Sequence, residues 1–438
     1  MDTSIGGARL GTLERINAPR HLAVVDDEGV RWEINDQRST LKKLPQIVWS
    51  DNTPWREANL WAFERACDKR CKLKTVLSVM SHLHAYAKWL EAEALPWWHF
   101  PARQSDRCLV RFRGHLMAEI DSGNLANSTA KQRMSAVIRF YRWLVAAGLL
   151  SPEWPMWNEK SIGIRLVEDF GLERTMRVAS TDLAIQNRKK IGDPLEDGLM
   201  PVPRDHVGKI LEYASQNASL EFYLMLRIGF ATGMRFGTIA DLKIETIYNA
   251  IEDHRFRGFY TIRVGSAARP SVHTKFDVTG DIWIHADDLE LLRDYIYSHR
   301  RLMRQRLSSM ANNNHIFLTK FGVPFGNDDD SYSRAMTVEL GRLRKKAATE
   351  GFEYLRGFKF HQARCTYATE LARTLLRHGN AGMAVEIVKT ALLHKDEATT
   401  LKYIKFIEKT NVMAKAANEF STDFLGLASC ELYSCTAL

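Results

Sequence analysis

Cysteine is scarce in this sequence, which has only six in 438 residues. Six cysteines are too few to hold so long a chain in a disulfide framework, and no two of them have the two-residue spacing that is typical of a zinc site. We therefore predict reduced, structural thiols and no bound metal. The positions are Cys67, Cys71, Cys108, Cys365, Cys430 and Cys435.

Long apolar segments are also missing. No stretch approaches the roughly 18 uninterrupted apolar residues that a membrane-spanning helix needs. The first residues, MDTSIGGARLGTLERI, contain no apolar core of the length found in signal peptides. These absences predict a cytoplasmic protein without a membrane segment. There is no Walker-type glycine-rich loop either, so we expect no bound nucleotide.

Acidic residues are outnumbered, since the formal net charge is +9 and the pI is about 9.1. A basic balance favours a polyanionic partner, although many basic proteins bind no nucleic acid. The distribution of the charge is more informative. Positions 54–150 contain 15 Lys and Arg against 8 Asp and Glu, a surplus of 7 that leaves only 2 for the rest of the chain. One segment therefore carries most of the net positive charge.

A chain of this length is expected to bury more than one core and to form two or three domains. Residues 1–53 are predicted to be a β-containing extension, in which HLAVV and VRWEI flank the turn sequence DDEG. Residues 54–150 have apolar positions at three- and four-residue steps, as in a helical bundle. Residues 151–203 have the composition of an exposed linker, 204–420 predict a mostly α-helical domain with a small antiparallel sheet, and 421–438 are a tail.

Four places in the second domain carry groups suited to a phosphodiester. In LRIGFATGMRFGTIADLK one helix ends at Gly233 and another begins shortly afterwards, which leaves Arg235 in the turn, where a guanidinium can bind a phosphate beside a helix N-terminus. Lys275 is the only lysine between Lys243 and Lys320, and on a predicted hairpin it can reach a ligand and donate a proton. The simpler alternatives are an arginine paired with a surface carboxylate and a solvated strand lysine.

The other two places lie nearer the C-terminus. FKFHQARCTYATEL puts His361 and Arg364 three residues apart, and therefore on one face of a helix. In TALLHKDEATTLKYIKF, His394 lies in a loop and Tyr403 follows nine residues later on the next helix. A phenol needs nearby cations that favour phenolate and neutralise the charge that builds on phosphorus. The alternatives are a chance HxxR match, a cap or surface histidine and a core tyrosine.

The order Arg, Lys, HxxR, His, Tyr resembles the catalytic set of the tyrosine recombinases, the phage integrase family. TGMR, HQAR and the His-to-Tyr spacing of nine are its most specific parts. The segment STAKQRMSAVIRFYRWLVAAGLL in 54–150 is similar to the family's core-binding DNA-binding domain, and 204–420 resemble its catalytic domain. The resemblance implies a mostly α two-domain protein that closes around double-stranded DNA as a C-shaped clamp.

The resemblance also implies a mechanism without metal or cofactor. Tyr403 attacks the scissile phosphate and forms a 3′-phosphotyrosine, from which a 5′ hydroxyl of another strand reseals the DNA without ATP. The family works as a tetramer on two DNA sites through a Holliday junction, with C-terminal helices exchanged between neighbours. For this chain, packing of that helix within one subunit is an equal alternative, and accessory proteins are further candidate partners.

Five further residues receive roles from the same resemblance. Arg235, Arg364 and His394 hold the non-bridging oxygens of the phosphate. Lys275 protonates the departing 5′ oxygen, and His361 assists as a hydrogen-bonding or general acid/base group. These five residues and the tyrosine are our candidate active site.

Three positions depart from the family pattern. An acidic residue usually stands three after the first arginine, where this chain has Thr238. A leucine usually precedes the arginine of HxxR, where it has Ala363, and Leu393 replaces the glycine expected before the second histidine. These departures affect the support of Arg235 and the backbone of the His394 loop, and none removes a candidate catalytic group.

Other functions remain open at this point. A type IB topoisomerase uses similar chemistry as a monomer to relax supercoils, although HxxR and the basic helical segment fit a recombinase better. A DNA-binding regulator that has lost its chemistry is a second alternative, and an unrelated helical protein that matches by chance is a third. The sequence leaves undecided the target DNA, the role of 1–53, and the choice between integrase, transposon recombinase and resolvase.

Overall fold

The computed structural model describes the chain at positions 11–26, 29–35, 40–68, 71–167, 173–186, 195–326 and 334–423. The chain divides into two compact units, residues 1–189 and 190–438, so the division falls inside the segment 151–203. It is mostly α-helical with small antiparallel sheets, which confirms the predicted fold class. In these described ranges no helix is long and apolar enough to cross a membrane.

The first unit begins with four antiparallel strands. β1 (Thr12–Ala18) pairs with β4 (Leu41–Val48), and β2 (His21–Asp26) pairs with β3 (Gly29–Ile34) across the turn that the sequence indicates. Ile47 of β4 is fully buried in the same apolar core as the helices that follow. β4 therefore contributes to the core of this unit, which also includes the other N-terminal strands.

Four helices complete the core of this unit: α1 (Arg56–Cys67), α2 (Leu73–Ala92), α3 (Cys108–Asp121) and α4 (Asn127–Ala146). Their buried faces are rich in aromatic rings. The hydroxyls of the buried tyrosines of α2 and α4 share a hydrogen bond with an O–O distance of 2.9 Å, so these polar groups are satisfied inside an apolar core. The largest fully buried rings of this core are those of Trp55, Tyr86, Phe112, Phe140 and Tyr141.

The segment predicted as an exposed linker contains regular structure. β5 (Glu159–Val167) and β6 (Glu173–Thr181) form an antiparallel hairpin. On either side of it, Met156, Leu183 and Ile185 are buried in the core of the first unit. The expectation of a linker with little core was wrong here. The prediction relied on the proline- and glycine-rich sequence at the two ends of the segment and overlooked the short alternating segments between them, which favour strands.

The second unit contains a three-stranded antiparallel sheet with the order β7 (Ile251–Glu252), β8 (Phe259–Val264) and β9 (Gly280–His285). This is the small sheet that the sequence predicts. The segment VHTKFDV, which carries Lys275 of the predicted hairpin, lies in the connection between β8 and β9. That connection contains a short 3-10 turn, Lys275–Asp277.

The helices of the second unit form two adjoining apolar cores. The larger core packs α6 against the sheet, and the smaller one joins α12, α13 and α14. The predicted tail 421–438 begins inside α14, and positions 424–438 lie outside the described residues. The helices are α5 (Arg204–Asn217), α6 (Leu220–Thr232), α7 (Phe236–Ala240), α8 (Ile244–Tyr248), α9 (Ala286–Tyr297), α10 (His299–Arg306), α11 (Arg334–Thr349), α12 (Gln362–His378), α13 (Ala381–Leu392) and α14 (Glu397–Asp423).

Candidate active site

Arg235 lies in a tight turn between α6 and α7, as the sequence predicts. α6 ends at Thr232, and Gly233 follows with a φ of 66°, in the left-handed region. A Cβ on Gly233 would lie 2.5 Å from the ring of Tyr367 and 2.6 Å from Leu392, so glycine is required for both conformation and space. This turn brings Arg235 to the start of α7.

Arg364 is almost fully buried and donates hydrogen bonds in three directions. Its Nη1 donates to the carbonyl of Gly233 at 2.8 Å, and its Nη2 donates to the carbonyl of Leu392 at 2.9 Å. These carbonyls lie at the C-terminal ends of α6 and α13. Its Nε donates to the carboxylate of Glu196 at 2.9 Å. The planar guanidinium therefore joins three helices while its Nε donates to an anionic group.

Two histidines lie near the same carboxylate. His361 directly precedes α12, and its Nε2 lies 3.4 Å from Oε2 of Glu196. The Nε2 of His394 lies 3.6 Å from Oε1 of Glu196, while its Nδ1 contacts the hydroxyl of Thr400 at 2.9 Å. The contact of Nδ1 with the hydroxyl orients the imidazole and leaves Nε2 directed at Glu196. Burial lowers the pKa of His394, and the nearby Glu196 partly opposes that change.

Tyr403 lies on α14 and is fully buried. Its hydroxyl donates to Oε2 of Glu196 at 3.4 Å and lies 3.9 Å from the sulfur of Cys365. The ring stacks on His394 with 6.1 Å between the centroids. Burial raises the pKa of Tyr403 far above its ordinary value, and the neighbouring Cys365 and the charge of Glu196 raise it further. In this arrangement the phenol is neutral and covered.

Lys275 is not brought together with the other five candidates. It is exposed on the turn between β8 and β9, where its ammonium nitrogen lies 5.4 Å from the centroid of the Phe276 ring. Lys395, the residue after His394, has its ammonium nitrogen 5.8 Å from the same ring. The turn that carries Lys275 therefore lies beside the His394 loop. Lys275 thus lies on a hairpin, as the sequence predicts, in the connection between its two strands.

Glu196 is the residue that the sequence analysis did not select. It begins a short 3-10 turn, Glu196–Gly198, in the segment predicted as a linker, and its side chain is only 12% exposed. Arg235 donates from Nη2 to its Oε1 at 2.8 Å. Burial disfavours the charged form, yet the contacts with His361 and His394 and the charges of Arg364 and Arg235 hold the pKa of Glu196 far below its ordinary range. The only sequence signal was the missing acid at Thr238, which does not indicate where a replacement lies.

Leu393 shows how the backbone accommodates the absent glycine before His394. The leucine itself adopts the left-handed conformation, with φ of 51° and ψ of 49°, at the end of α13. Its side chain is partly buried and lies against Gly280 at the start of β9, where an added Cβ would come within 2.4 Å of it. Packing of the leucine side chain thus offsets a conformation that is unfavourable for any residue with a Cβ.

This conformation predicts an inverted order of stability for two variants at position 393. Leu393→Gly and Leu393→Ala both lose the side-chain packing, but only alanine keeps the left-handed penalty, so the glycine variant should be more stable by about 1 kcal/mol. Gly341 in the exposed middle of α11 is the control, since Gly341→Ala should stabilise the protein by about 1 kcal/mol. Urea unfolding measures both differences. An alanine variant at 393 as stable as the glycine variant would contradict the left-handed assignment.

Ala363 also departs from the family pattern for a visible reason. It is buried on α12, and its Cβ would be 3.4 Å from a Cβ added to Gly229 of α6. Small residues on both helices let α6 and α12 approach closely. This close contact brings Arg364 on α12 within reach of Gly233 at the end of α6.

Comparison with known proteins agrees with this arrangement. Residues 202–409 match the model of the phage integrase family. The tyrosine recombinase XerC of Lactobacillus delbrueckii subsp. bulgaricus is 22% identical over 337 residues, which cover 75% of this chain and 87% of that protein.

Two integrases are among the solved structures that align with this chain. The Tn1549 transposon integrase in complex with circular intermediate DNA is 15% identical and has a TM-score of 0.47, with 79% of this chain and 94% of that chain covered. A lambda integrase dimer bound to a COC′ core site is 15% identical and has a TM-score of 0.45, with 80% and 93% covered. Residues 202–409, which include all six candidate residues, therefore form a domain of the phage integrase family, the tyrosine recombinases.

Proposed function

We propose that this protein is a site-specific DNA recombinase that cuts and rejoins strands through a 3′-phosphotyrosine at Tyr403. The observation that carries the proposal is the convergence of two arginines, two histidines and the tyrosine hydroxyl on the two oxygens of one carboxylate. Donors arranged around an anionic group in this way can hold the non-bridging oxygens of a phosphate instead. The tyrosine hydroxyl then lies beside the phosphorus.

The chemical step follows from these positions. The Tyr403 oxygen forms a bond to phosphorus as the bond from phosphorus to the 5′ oxygen breaks. The phenol proton passes to His361, and Lys275 gives a proton to the departing 5′ oxygen. Arg235, Arg364 and His394 stabilise the charge on the phosphorane oxygens, which is greatest in the transition state.

Double-stranded DNA is the proposed partner because the phosphate-binding site is accompanied by the basic surplus of residues 54–150. Rejoining to a different strand requires two DNA sites in one assembly. We therefore propose a tetramer on DNA that passes through a Holliday junction, and a protein that works in the cytoplasm at the nucleoid. α14 continues 20 residues beyond Tyr403 to Asp423, which is long enough for a contact with a neighbouring subunit.

A covalent trap tests the proposed reaction and its alternatives together. Wild-type protein is incubated with a pool of nicked duplexes of random sequence, and DNA that stays attached after denaturation is sequenced. The recovered site is then placed twice on supercoiled plasmids. The expected result is DNA strand exchange between the two sites. Relaxation without exchange indicates a topoisomerase-like enzyme, and DNA binding without any adduct indicates a regulator that lacks the chemistry.

The proposed role of Lys275 predicts a rescue by the leaving group. Lys275→Ala should slow adduct formation by about 10²–10⁴-fold on ordinary DNA, because the departing 5′ oxygen loses its proton donor. A bridging 5′-thio substrate should restore most of the rate, since a thiolate leaves without protonation. Lys320→Ala is the matched control, because Lys320 is an exposed lysine of the same unit that also lies beside a phenylalanine ring. If Lys275→Ala were equally slow on both substrates, Lys275 would be excluded as the proton donor to the 5′ oxygen, and His361 would be favoured.

A further inference from the structure

The turn Glu196–Gly198 puts a carboxylate where a phosphate has to bind. A carboxylate and a phosphate both present anionic oxygens that accept charge-assisted hydrogen bonds from the same donors. We propose that Glu196 occupies the scissile-phosphate position in the DNA-free protein, and that it must withdraw before the enzyme can cut. This inference rests on the function proposed above. It makes Glu196 an internal competitor of the substrate.

Both oxygens of Glu196 are surrounded by the proposed phosphate ligands. Oε1 lies 2.8 Å from Nη2 of Arg235 and 3.6 Å from Nε2 of His394. Oε2 lies 2.9 Å from Nε of Arg364, 3.4 Å from Nε2 of His361 and 3.4 Å from the hydroxyl of Tyr403. A second anion cannot reach these groups while the carboxylate holds them. DNA binding and Glu196 binding are therefore mutually exclusive at this position.

The backbone on both sides of Glu196 is anchored, so the carboxylate is held in place. Leu195 is buried in the same apolar core as Tyr403. On the other side, the side chain of Gln362 donates to the carbonyl of Met200 at 3.0 Å, and the amide of Val202 donates to the hydroxyl of Thr366 at 2.8 Å. The contact of the Glu196 carboxylate with the candidate active site is thus part of the packed fold of this unit.

A different role for Glu196 is to replace the acid that is missing at Thr238 and to support Arg235 during the reaction. A supporting carboxylate should contact the arginine on the side away from the substrate. Glu196 instead contacts the nucleophile hydroxyl and both histidines, which are groups that have to face the phosphate. The geometry therefore favours a competitor over a support.

Kinetics of adduct formation distinguish the two roles. Glu196→Gln keeps the size of the side chain and removes its charge, and Glu196→Ala removes the group. For a competitor, the DNA concentration that gives half the maximal single-turnover rate should fall about tenfold in both variants, which corresponds to ~1.4 kcal/mol, while the maximal rate does not fall. Glu212→Gln is the control, because it removes the same charge from an exposed residue of α5, and it should match wild type in both quantities. A lower maximal rate in the Glu196 variants, or an unchanged half-saturating concentration, overturns the proposal.

Binding of a simple oxyanion tests the competition without any DNA chemistry. Tungstate, titrated calorimetrically into the full-length protein, should bind the Glu196 variants at least tenfold more tightly than wild type or Glu212→Gln. It should also raise the melting temperature of the Glu196 variants more, because it replaces the missing counter-charge between Arg235 and Arg364. Equal tungstate affinity in all four proteins overturns the competitor. If tungstate behaves as expected but wild type forms no adduct with DNA, the proposed recombinase activity fails and the competition at this pocket stands.

Discussion

Tyr403→Phe should form no covalent DNA adduct while it folds and binds DNA like wild type. The substitution removes one oxygen and keeps the ring, which is fully buried among the apolar residues of α12, α13 and α14. The lost hydroxyl contacts are long, at 3.4 Å to Glu196 and 3.9 Å to Cys365, so little stability depends on them. On a nicked suicide substrate the adduct that survives denaturation should decrease by at least ~10³-fold, to background.

Tyr367→Phe is the matched control for this loss. Tyr367 lies on α12, its ring is close to Gly233, and burial raises its pKa to about 12. It is thus a partly buried tyrosine of the same unit, but it has no place in the proposed chemistry. Its phenylalanine variant should form the adduct at a rate near that of wild type. Adduct formation by Tyr403→Phe at an undiminished rate would contradict the proposed nucleophile.

Arg364→Lys should reduce the rate of adduct formation by about 10²–10³-fold, although the charge is kept. A lysine ends in a single nitrogen, which cannot reach at once the carbonyls of Gly233 and Leu392 and the anionic position of Glu196, which three separate nitrogens of Arg364 contact. At least one buried carbonyl then lacks a donor, which costs about 1–3 kcal/mol of unfolding free energy. Single-turnover rates at saturating DNA and urea unfolding measure the two effects separately.

Arg373→Lys on the same helix provides the comparison. Arg373 pairs with Glu370 near the surface, and its side chain is 39% exposed. A surface pair of this kind contributes little to stability, so the variant should match wild type in rate and in unfolding free energy. If Arg364→Lys also matched wild type, a simple positive charge would be sufficient, and the three-way role of the guanidinium would be wrong.

Motif spacing predicted those parts of the candidate site that local structure determines. The turn at Gly233 follows from a glycine between two apolar helical segments, and it puts Arg235 where the sequence suggested. The spacing from His361 to Arg364 and from His394 to Tyr403 also led to groups that the fold brings to one carboxylate. In each case a few residues on one helix or turn are sufficient for the prediction.

Contacts between distant segments could not be predicted in this way. Glu196 reaches Arg364 across 168 positions of the chain, and no local pattern marks one acid in a linker-like sequence as a partner of the site. Lys275 was predicted on a hairpin, but the sequence did not indicate that it lies in a turn where Phe276 and Asp277 both have positive φ angles. Leu393 takes a left-handed conformation because its side chain packs on β9, which is a tertiary effect.

The central claim is that Tyr403 is the residue that becomes joined to DNA, and peptide mapping of the trapped adduct tests it most directly. Wild-type protein is trapped on a nicked suicide substrate, the DNA is digested to a short remnant, and the protein is cleaved after glutamate. Cleavage after Glu397 and Glu408 releases residues 398–408, which contain a single tyrosine. The account predicts the nucleotide remnant on Tyr403 within this peptide. A remnant on any of the other twelve tyrosines, or on a serine or cysteine, would contradict it.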